Sequence, residues 1–509
     1  MAGDALAGPT VATIRVRERS DRMERRATGM GGILRFAAPP DQNPPMLNKI
    51  FKAYDVRGIY PEPLNEQDAW QIGFGCARFL LTEAQKDGRT DAGARTIVVG
   101  RDMRKSSPSL ARSLKDGMRE GGAHVVDVGM VDTPFTYFAA NHLKSAGAVQ
   151  TTASHNPAQY NGFKVSGAGA KPVGRDTGLT TIKAAAEAAA PGEGPGCGGE
   201  EQRDLWAEYR AHLLKFLPKE VLDGTRTLHV VIDASNGMAG TMVPKVFGEV
   251  KGLRITAINF DNSTGEFVHE PNPLVEANLA PTREGVRTLK ADFGVCFDGD
   301  ADRCMVIDER GEPVGCDLLT AWLAQGWLKS NPGASIVYDL RSTRSVAEAV
   351  REAGGVPVEG RVGHVFMKQK LRETGAPFGG ELSGHFYYRD MWCTDSGARA
   401  FANVVSALVE SGRPMSECIG PFRRYSQSGE INFENDDKQG ALDALRARYP
   451  HARFHALDGL SMDCGDWWAN IRMSNTEPLL RLNLEARDAA TVAAKVRELE
   501  PVLGHRVDH

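Results

Sequence analysis

Phe293-Gly294-Val295-Cys296-Phe297-Asp298-Gly299-Asp300-Ala301-Asp302-Arg303-Cys304-Met305-Val306-Ile307 is the stretch on which the reading of this chain turns. Two apolar runs of strand length flank a short acidic loop. Asp298, Asp300 and Asp302 alternate, so in extended backbone their side chains share one face. Three anions on one face repel each other unless a cation sits among them. Carboxylate oxygens are hard ligands and favour Mg2+ or Mn2+, with Ca2+ also accommodated.

Three other readings of the loop compete. Asp and Gly form solvated turns for purely local reasons, but such turns seldom alternate acids strictly between apolar strands. An EF-hand would place Gly at the sixth position, where this chain has Arg303, and would need flanking helices. A phosphatase of the haloacid dehalogenase type, with Asp298 as nucleophile, fits Val295 to Asp300 but not Asp302, where Thr or Val belongs.

Other segments decide between them. Thr151-Thr152-Ala153-Ser154-His155-Asn156-Pro157 follows an apolar run and sets a hydroxyl in a polar turn. Alone it reads as a helix cap or turn serine. Beside a metal loop it reads as a hydroxyl that carries a phosphoryl group, exposed for chemistry. Gly379-Gly380-Glu381-Leu382-Ser383-Gly384-His385 is a glycine-flanked loop suited to a hydroxyl-rich ligand, or an ordinary hairpin. Arg472-Met473-Ser474-Asn475-Thr476-Glu477-Pro478 has the inventory of a phosphate cradle, or of a capped turn.

Together these four segments resemble the α-D-phosphohexomutase family, most closely its bacterial phosphomannomutase/phosphoglucomutase branch, from about Met46 to the C-terminus. The resemblance implies that Ser154 carries the phosphoryl group. It implies that Asp298, Asp300 and Asp302 bind one Mg2+, with a phosphoserine oxygen of Ser154 completing the site. Glu381 and Ser383 would hold the sugar hydroxyls O3 and O4. Arg472, Ser474, Asn475 and Thr476 would grip the non-reacting phosphate. Arg57 (in Tyr54-Asp55-Val56-Arg57-Gly58) would sit near the transferring group, and Lys164 would do acid/base work. Arg303 closes the metal loop, and His364 and His385 would line a central cleft. Ala301 and Leu382 stand where phosphoglucosamine mutases usually have Gly and Gln, which argues against an amino-sugar substrate.

The implied reaction interconverts hexose 1-phosphate and hexose 6-phosphate, of mannose, glucose or both. Phosphoserine donates to the substrate, a hexose 1,6-bisphosphate turns round, and its other phosphate returns to the serine. Lys164 could act as base only if cationic neighbours lower its pKa. Two rival functions are a haloacid-dehalogenase-like phosphatase using Asp298 and a non-catalytic, metal-dependent sugar-phosphate binder.

The chain has 509 residues, too many for one core, and three to four domains are expected. Thr96 to Asp102, His229 to Gly237 and Ser335 to Ser342 repeat one outline, an apolar strand, a polar loop and then a helix, such as one from Ser345 to Ala353. Trp468 to Arg472 and Leu479 to Glu485 alternate like an antiparallel sheet before a helix from Ala489 to Leu499. The expected fold is α/β, with three related domains carrying mixed sheets and a smaller α+β C-terminal domain. The expected boundaries are 46–198, 199–310, 311–422 and 423–509, with the Gly/Pro/Glu-rich stretch from Pro191 to Glu201 as first linker. Residues 1–45 interleave arginines with acids. They are expected to be a disordered extension, unless translation starts at Met46.

A net charge of −4 carries no nucleic-acid footprint, and no apolar run approaches transmembrane length. Eight scattered cysteines without a CxxC pair point to a reducing cytoplasm, with Cys296 and Cys304 as core thiols. The expected partners are small hexose phosphates, with the bisphosphate as activator, for a monomer or homodimer.

Overall fold

The three-fold repeat in the sequence reappears as one strand order used three times. The computed structural model describes residues 47–196, 198–474 and 478–507. The expected extension 1–45 and the cradle residues Asn475 and Thr476 lie outside the described residues.

In each repeat an apolar strand sits centrally: Thr96–Arg101, Leu228–Asp233 and Ser335–Asp339. On one side it pairs in parallel with the next strand, His124–Met130, Leu253–Ile258 or Val356–Gly360. On the other it pairs in parallel with the third, Gly147–Thr151, Phe293–Phe297 or Phe378–Gly380. Helical crossovers supply the lengths that parallel neighbours require. The chain then turns back sharply. Tyr160–Gly167, Cys304–Ile307 and Phe386–Tyr388 each run antiparallel to the third strand. The turns made at this third-strand hairpin are residues 152–159, 298–303 and 381–385, so the serine loop, the acidic loop and the Glu381 loop occupy equivalent positions in three copies of one motif.

The stretch read as a linker does more than link. Glu200–Gln202 pairs in parallel with His124–Met130 and adds an edge strand to the first sheet. The helix expected at 345–353 is Arg344–Glu352, capped by the Thr343 side chain accepting from Ser345 N.

One apolar core runs from Val98 and Phe135 through Val231 and Phe293 to Ile336 and Phe378. Each fully buried Phe contributes about 2–3 kcal/mol by removal from water. The C-terminal sheet is antiparallel throughout, in the order Arg453–His455, Leu460–Asp463, Trp467–Met473, Leu479–Ala486, Ser426–Glu434, His505–Val507. Its own core, with Ile471, Leu480 and Leu482, packs against the helix Ala489–Leu503, longer by one turn than expected. Polar contacts tie it to the third repeat, among them Arg344 to Asp463 Oδ1 at 2.6 Å and Val362 N to Asp458 Oδ2 at 3.3 Å.

Candidate active site

The first two hairpin loops are pressed together. A Cβ on Gly299 would lie 2.4 Å from the Ser154 carbonyl oxygen, so only glycine permits this approach. Ser154 has φ 51°, a left-handed conformation that strains a non-glycine residue. Its hydroxyl, expected to be exposed, is buried: the residue is 2% accessible, and Oγ donates to Asp298 Oδ2 at 3.1 Å. His155 Nδ1 lies 3.3 Å from the same hydroxyl and accepts from Arg303 at 2.9 Å. Burial, reinforced by Arg303 and Arg57, keeps this imidazole neutral, well below its ordinary pKa.

Arg104 holds the serine loop in place. Its guanidinium is inaccessible to solvent. Nε donates to Asp102 Oδ2 at 3.0 Å. The remaining donors reach four backbone carbonyls, those of Ser154 and Asn156 at 2.9 and 2.7 Å and of Pro157 and Tyr160 at 2.7 and 3.1 Å. Arg57 bonds to Asp55 and to the side chain of Asn156, at the outer edge of the same loop.

Asp298, Asp300 and Asp302 are buried, with one oxygen from each within 4.8 Å of the others. Asp300 Oδ1 is buried without a hydrogen-bond partner, and Asp302 Oδ1 meets only the His385 ring among the described residues. An all-oxygen donor set with an orphaned buried carboxylate oxygen fits a hard divalent cation such as Mg2+. Burial, together with repulsion from Asp302 and Asp300, pushes Asp298 well above the usual carboxylate range. Burial acts the same way on Asp302, but Lys164, His385 and Arg303 outweigh it and hold that carboxyl well below the range.

Lys164 Nζ lies 2.7 Å from Asp300 and 2.6 Å from Asp302. Burial disfavours its charge, yet Asp300, Asp302 and Asp298 raise its pKa above that of an ordinary lysine. That is the opposite of the lowering a general base needs, and Lys164 here holds its proton as an acid would.

The third hairpin loop joins the metal loop through a β-bridge between Arg303 and His385. Glu381 is 2% accessible; it accepts from Gly363 N at 2.7 Å and from the Tyr387 hydroxyl. His385 lies between Asp302 and Glu381, at 3.3 and 3.4 Å. Burial would lower its pKa, but Asp302 overrides this and raises it to about 9. Ser383 Oγ is 3.0 Å from His385 Nδ1. The His364 ring stands 6.4 Å from the His385 ring and 6.1 Å from that of Tyr54. Lys368, buried and paired with Asp395 at 2.8 Å, approaches His364 Nδ1 to 3.5 Å.

Arg472 lies on the C-terminal sheet and bonds to Glu430 Oε2 at 2.6 Å. Arg341, from the third repeat, lies 3.9 Å from the same oxygen. Ser474 N closes the strand turn onto Leu479 O at 2.8 Å.

Arg104, His155, Arg341, Lys368 and Glu430 were not singled out from the sequence. Two left a signal. Asp102-x-Arg104 and Asp339-x-Arg341 recur at the same point of two repeats, where the Asp stands at or just past the end of the central strand and the Arg folds back onto it.

Models of the four phosphoglucomutase/phosphomannomutase domains match the chain in order. The alpha/beta/alpha domains I, II and III match residues 48–192, 207–311 and 316–425, and the C-terminal domain matches 430–500. The chain is 38% identical over 470 residues to a protein of Xanthomonas campestris described as phosphohexose mutases, covering 89% of this chain and 98% of that one. It is 36% identical over 463 residues to the phosphomannomutase of Escherichia coli K12, with the same coverages. A crystal structure of a phosphoglucomutase/phosphomannomutase family protein from Burkholderia thailandensis superposes with a TM-score of 0.78 at 33% identity, covering 89% of this chain and 96% of that one. These relatives are mutases, not haloacid dehalogenase phosphatases or passive binders. With the repeated hairpins, the buried acidic triad and the four matched domains in hand, this chain belongs to the phosphoglucomutase/phosphomannomutase family and is a phosphotransferring mutase.

Proposed function

We propose that the protein interconverts hexose 1-phosphate and hexose 6-phosphate, of mannose, glucose or both, through a phosphorylated Ser154 and a hexose 1,6-bisphosphate. The carrying observation is the Ser154 hydroxyl, 3.1 Å from Asp298 and facing an acidic triad in which Asp300 Oδ1 is buried without a partner. Asp298, Asp300 and Asp302, with a phosphoserine oxygen, would hold Mg2+, which supplies charge neutralisation for the moving phosphoryl group.

The chain's own residues do the rest. Arg104 fixes the serine loop, and Arg57 and Arg303 add cationic charge around it. Lys164 holds a proton within reach of the triad and can deliver it to a leaving oxygen. Glu381 and Ser383 accept and donate to sugar hydroxyls. Arg472 and Ser474, with Asn475 and Thr476, grip the phosphate that is not in transfer. A C-terminal domain with its own core can move as a unit, which gives the bisphosphate room to turn. Seven free thiols among the described residues suit a reducing cytoplasm. No helix among the described residues is long and apolar enough to cross a membrane.

A coupled assay on mannose 1-phosphate, glucose 1-phosphate and glucosamine 1-phosphate side by side tests this reading. Turnover of either of the first two, stimulated by the matching bisphosphate and weak on the amino sugar, is expected. Turnover of none, or release of inorganic phosphate in place of isomer, refutes it.

A further inference from the structure

Arg472 and Arg481 face each other directly across adjacent strands of the C-terminal sheet. Like charges in register destabilise a sheet, and Arg341 of the third repeat adds a third guanidinium beside Glu430. Glu430 is ion-paired with all three. Its Oε2 lies 2.6 Å from Arg472 and 3.9 Å from Arg341, and its Oε1 lies 3.8 Å from Arg481. The two oxygens thus spread over a three-arginine site as the oxygens of a phosphate would.

The backbone is built to aim this side chain. The pairing of Ser426–Glu434 with Leu479–Ala486 slips between Gln427 and Glu430, and Gly429 in the slip has φ 68°. A bulge of this kind re-aims the residue that follows it. The bonding capacity of Arg472 is also incompletely used, because its Nε is buried without a hydrogen-bond partner. A structural ion pair would be expected to saturate a buried guanidinium; a site kept for another ligand would not.

We propose that Glu430 is a resident counter-ion that occupies the phosphate cradle between binding events and competes with the substrate's non-transferring phosphate. This rests on the reading of Arg472 as a cradle residue. Glu430 then has two effects. It weakens the grip on phosphate, because the sugar phosphate must displace a carboxylate already paired. It also receives the arginines when the phosphate lets go, so the cradle can release one end of the bisphosphate and take the other. Glu430 is a positioning residue in this account, acting through the arginines and not on the reacting atoms.

The test compares wild type with Glu430→Gln and Glu430→Asp, using inorganic phosphate as a competitive inhibitor and hexose 1-phosphate as substrate. Glutamine keeps the shape and an acceptor but removes the charge. The expected result is a phosphate Ki lowered about tenfold, as for loss of a competing ion pair at a partly buried site, with KM lowered in parallel and kcat lowered several-fold. Aspartate, with its carboxylate drawn back, should fall between the two and carries the test alone if the glutamine variant does not fold. A Ki that is unchanged or raised in the Gln variant, or in the Asp variant where only that one folds, overturns the proposal. Arg472→Ala separates the two layers. If it leaves Ki unchanged, the cradle assignment itself fails. If it raises Ki while Glu430→Gln does not lower it, only the counter-ion proposal fails.

Discussion

Replacing Arg104 by lysine should cripple catalysis while sparing substrate binding. Arg104 spends five donors on five acceptors, one on Asp102 and four on carbonyls between Ser154 and Tyr160. Lysine has three donors on a single nitrogen. It can keep Asp102 neutralised, but it leaves at least two buried carbonyls without partners. At about 1.5–3 kcal/mol for each bond to a charged donor, partly recovered by relaxation or water, the net loss is about 2–4 kcal/mol. That energy is drawn from the loop that holds Ser154 in its strained backbone conformation. Misplacing the hydroxyl by about 1 Å costs about 100-fold in rate. The proposed phosphate- and sugar-binding residues lie elsewhere, so KM should stay within about threefold of wild type. Urea unfolding gives the stability change, and initial rates over a substrate series give kcat and KM. A folded Arg104→Lys enzyme with near-wild-type kcat would refute the clamp, as would a rise confined to KM.

Two further outcomes follow from the buried acids. Asp300→Asn removes one of the three carboxylates and should weaken Mg2+ dependence and rate together, whereas indifference to both this change and EDTA would make the loop structural. Asp132, fully buried and accepting from the Tyr209 hydroxyl at 2.9 Å, is pushed by burial up to about 7 from an ordinary 3.8. Its folded pKa is raised, so the folded state favours the protonated acid, and stability drains away as pH climbs from about 4 to 7. Asp132→Asn should therefore be more stable than wild type by about 2–4 kcal/mol at pH 8 and no more stable at pH 4. Melting temperatures at the two pH values check this, and an equal difference at both would contradict it.

Much of the fold was legible because its signals are local. Alternate carboxylates between apolar runs predicted strand, loop, strand, and the structure places Phe293–Phe297 and Cys304–Ile307 there as an antiparallel pair. The repeated strand-loop-helix outline carried the three related sheets. The edge strand Glu200–Gln202 was not legible, since a polar tripeptide in a glycine-rich stretch becomes a strand only by pairing with a distant one. Around the candidate site, residues marked by spacing were visible and residues marked by geometry were not. The burial of Ser154 arises from the approach of Gly299, far away in sequence. The elevated pKa of Lys164 depends on two aspartates from another hairpin. Glu430 looks like any mid-strand acid until a bulge and the strand register bring it among three arginines.

On the proposed mechanism, Ser154 carries the phosphoryl group between substrates. Peptide mapping of the gently purified protein, before and after brief incubation with hexose phosphate, tests it most directly. One phosphoryl group is expected at Ser154 beforehand. After incubation that group is expected on the sugar as hexose 1,6-bisphosphate, with no phosphate on Asp298. A phosphorylated Asp298, or full activity from a protein unmodified at Ser154 throughout turnover, would contradict it.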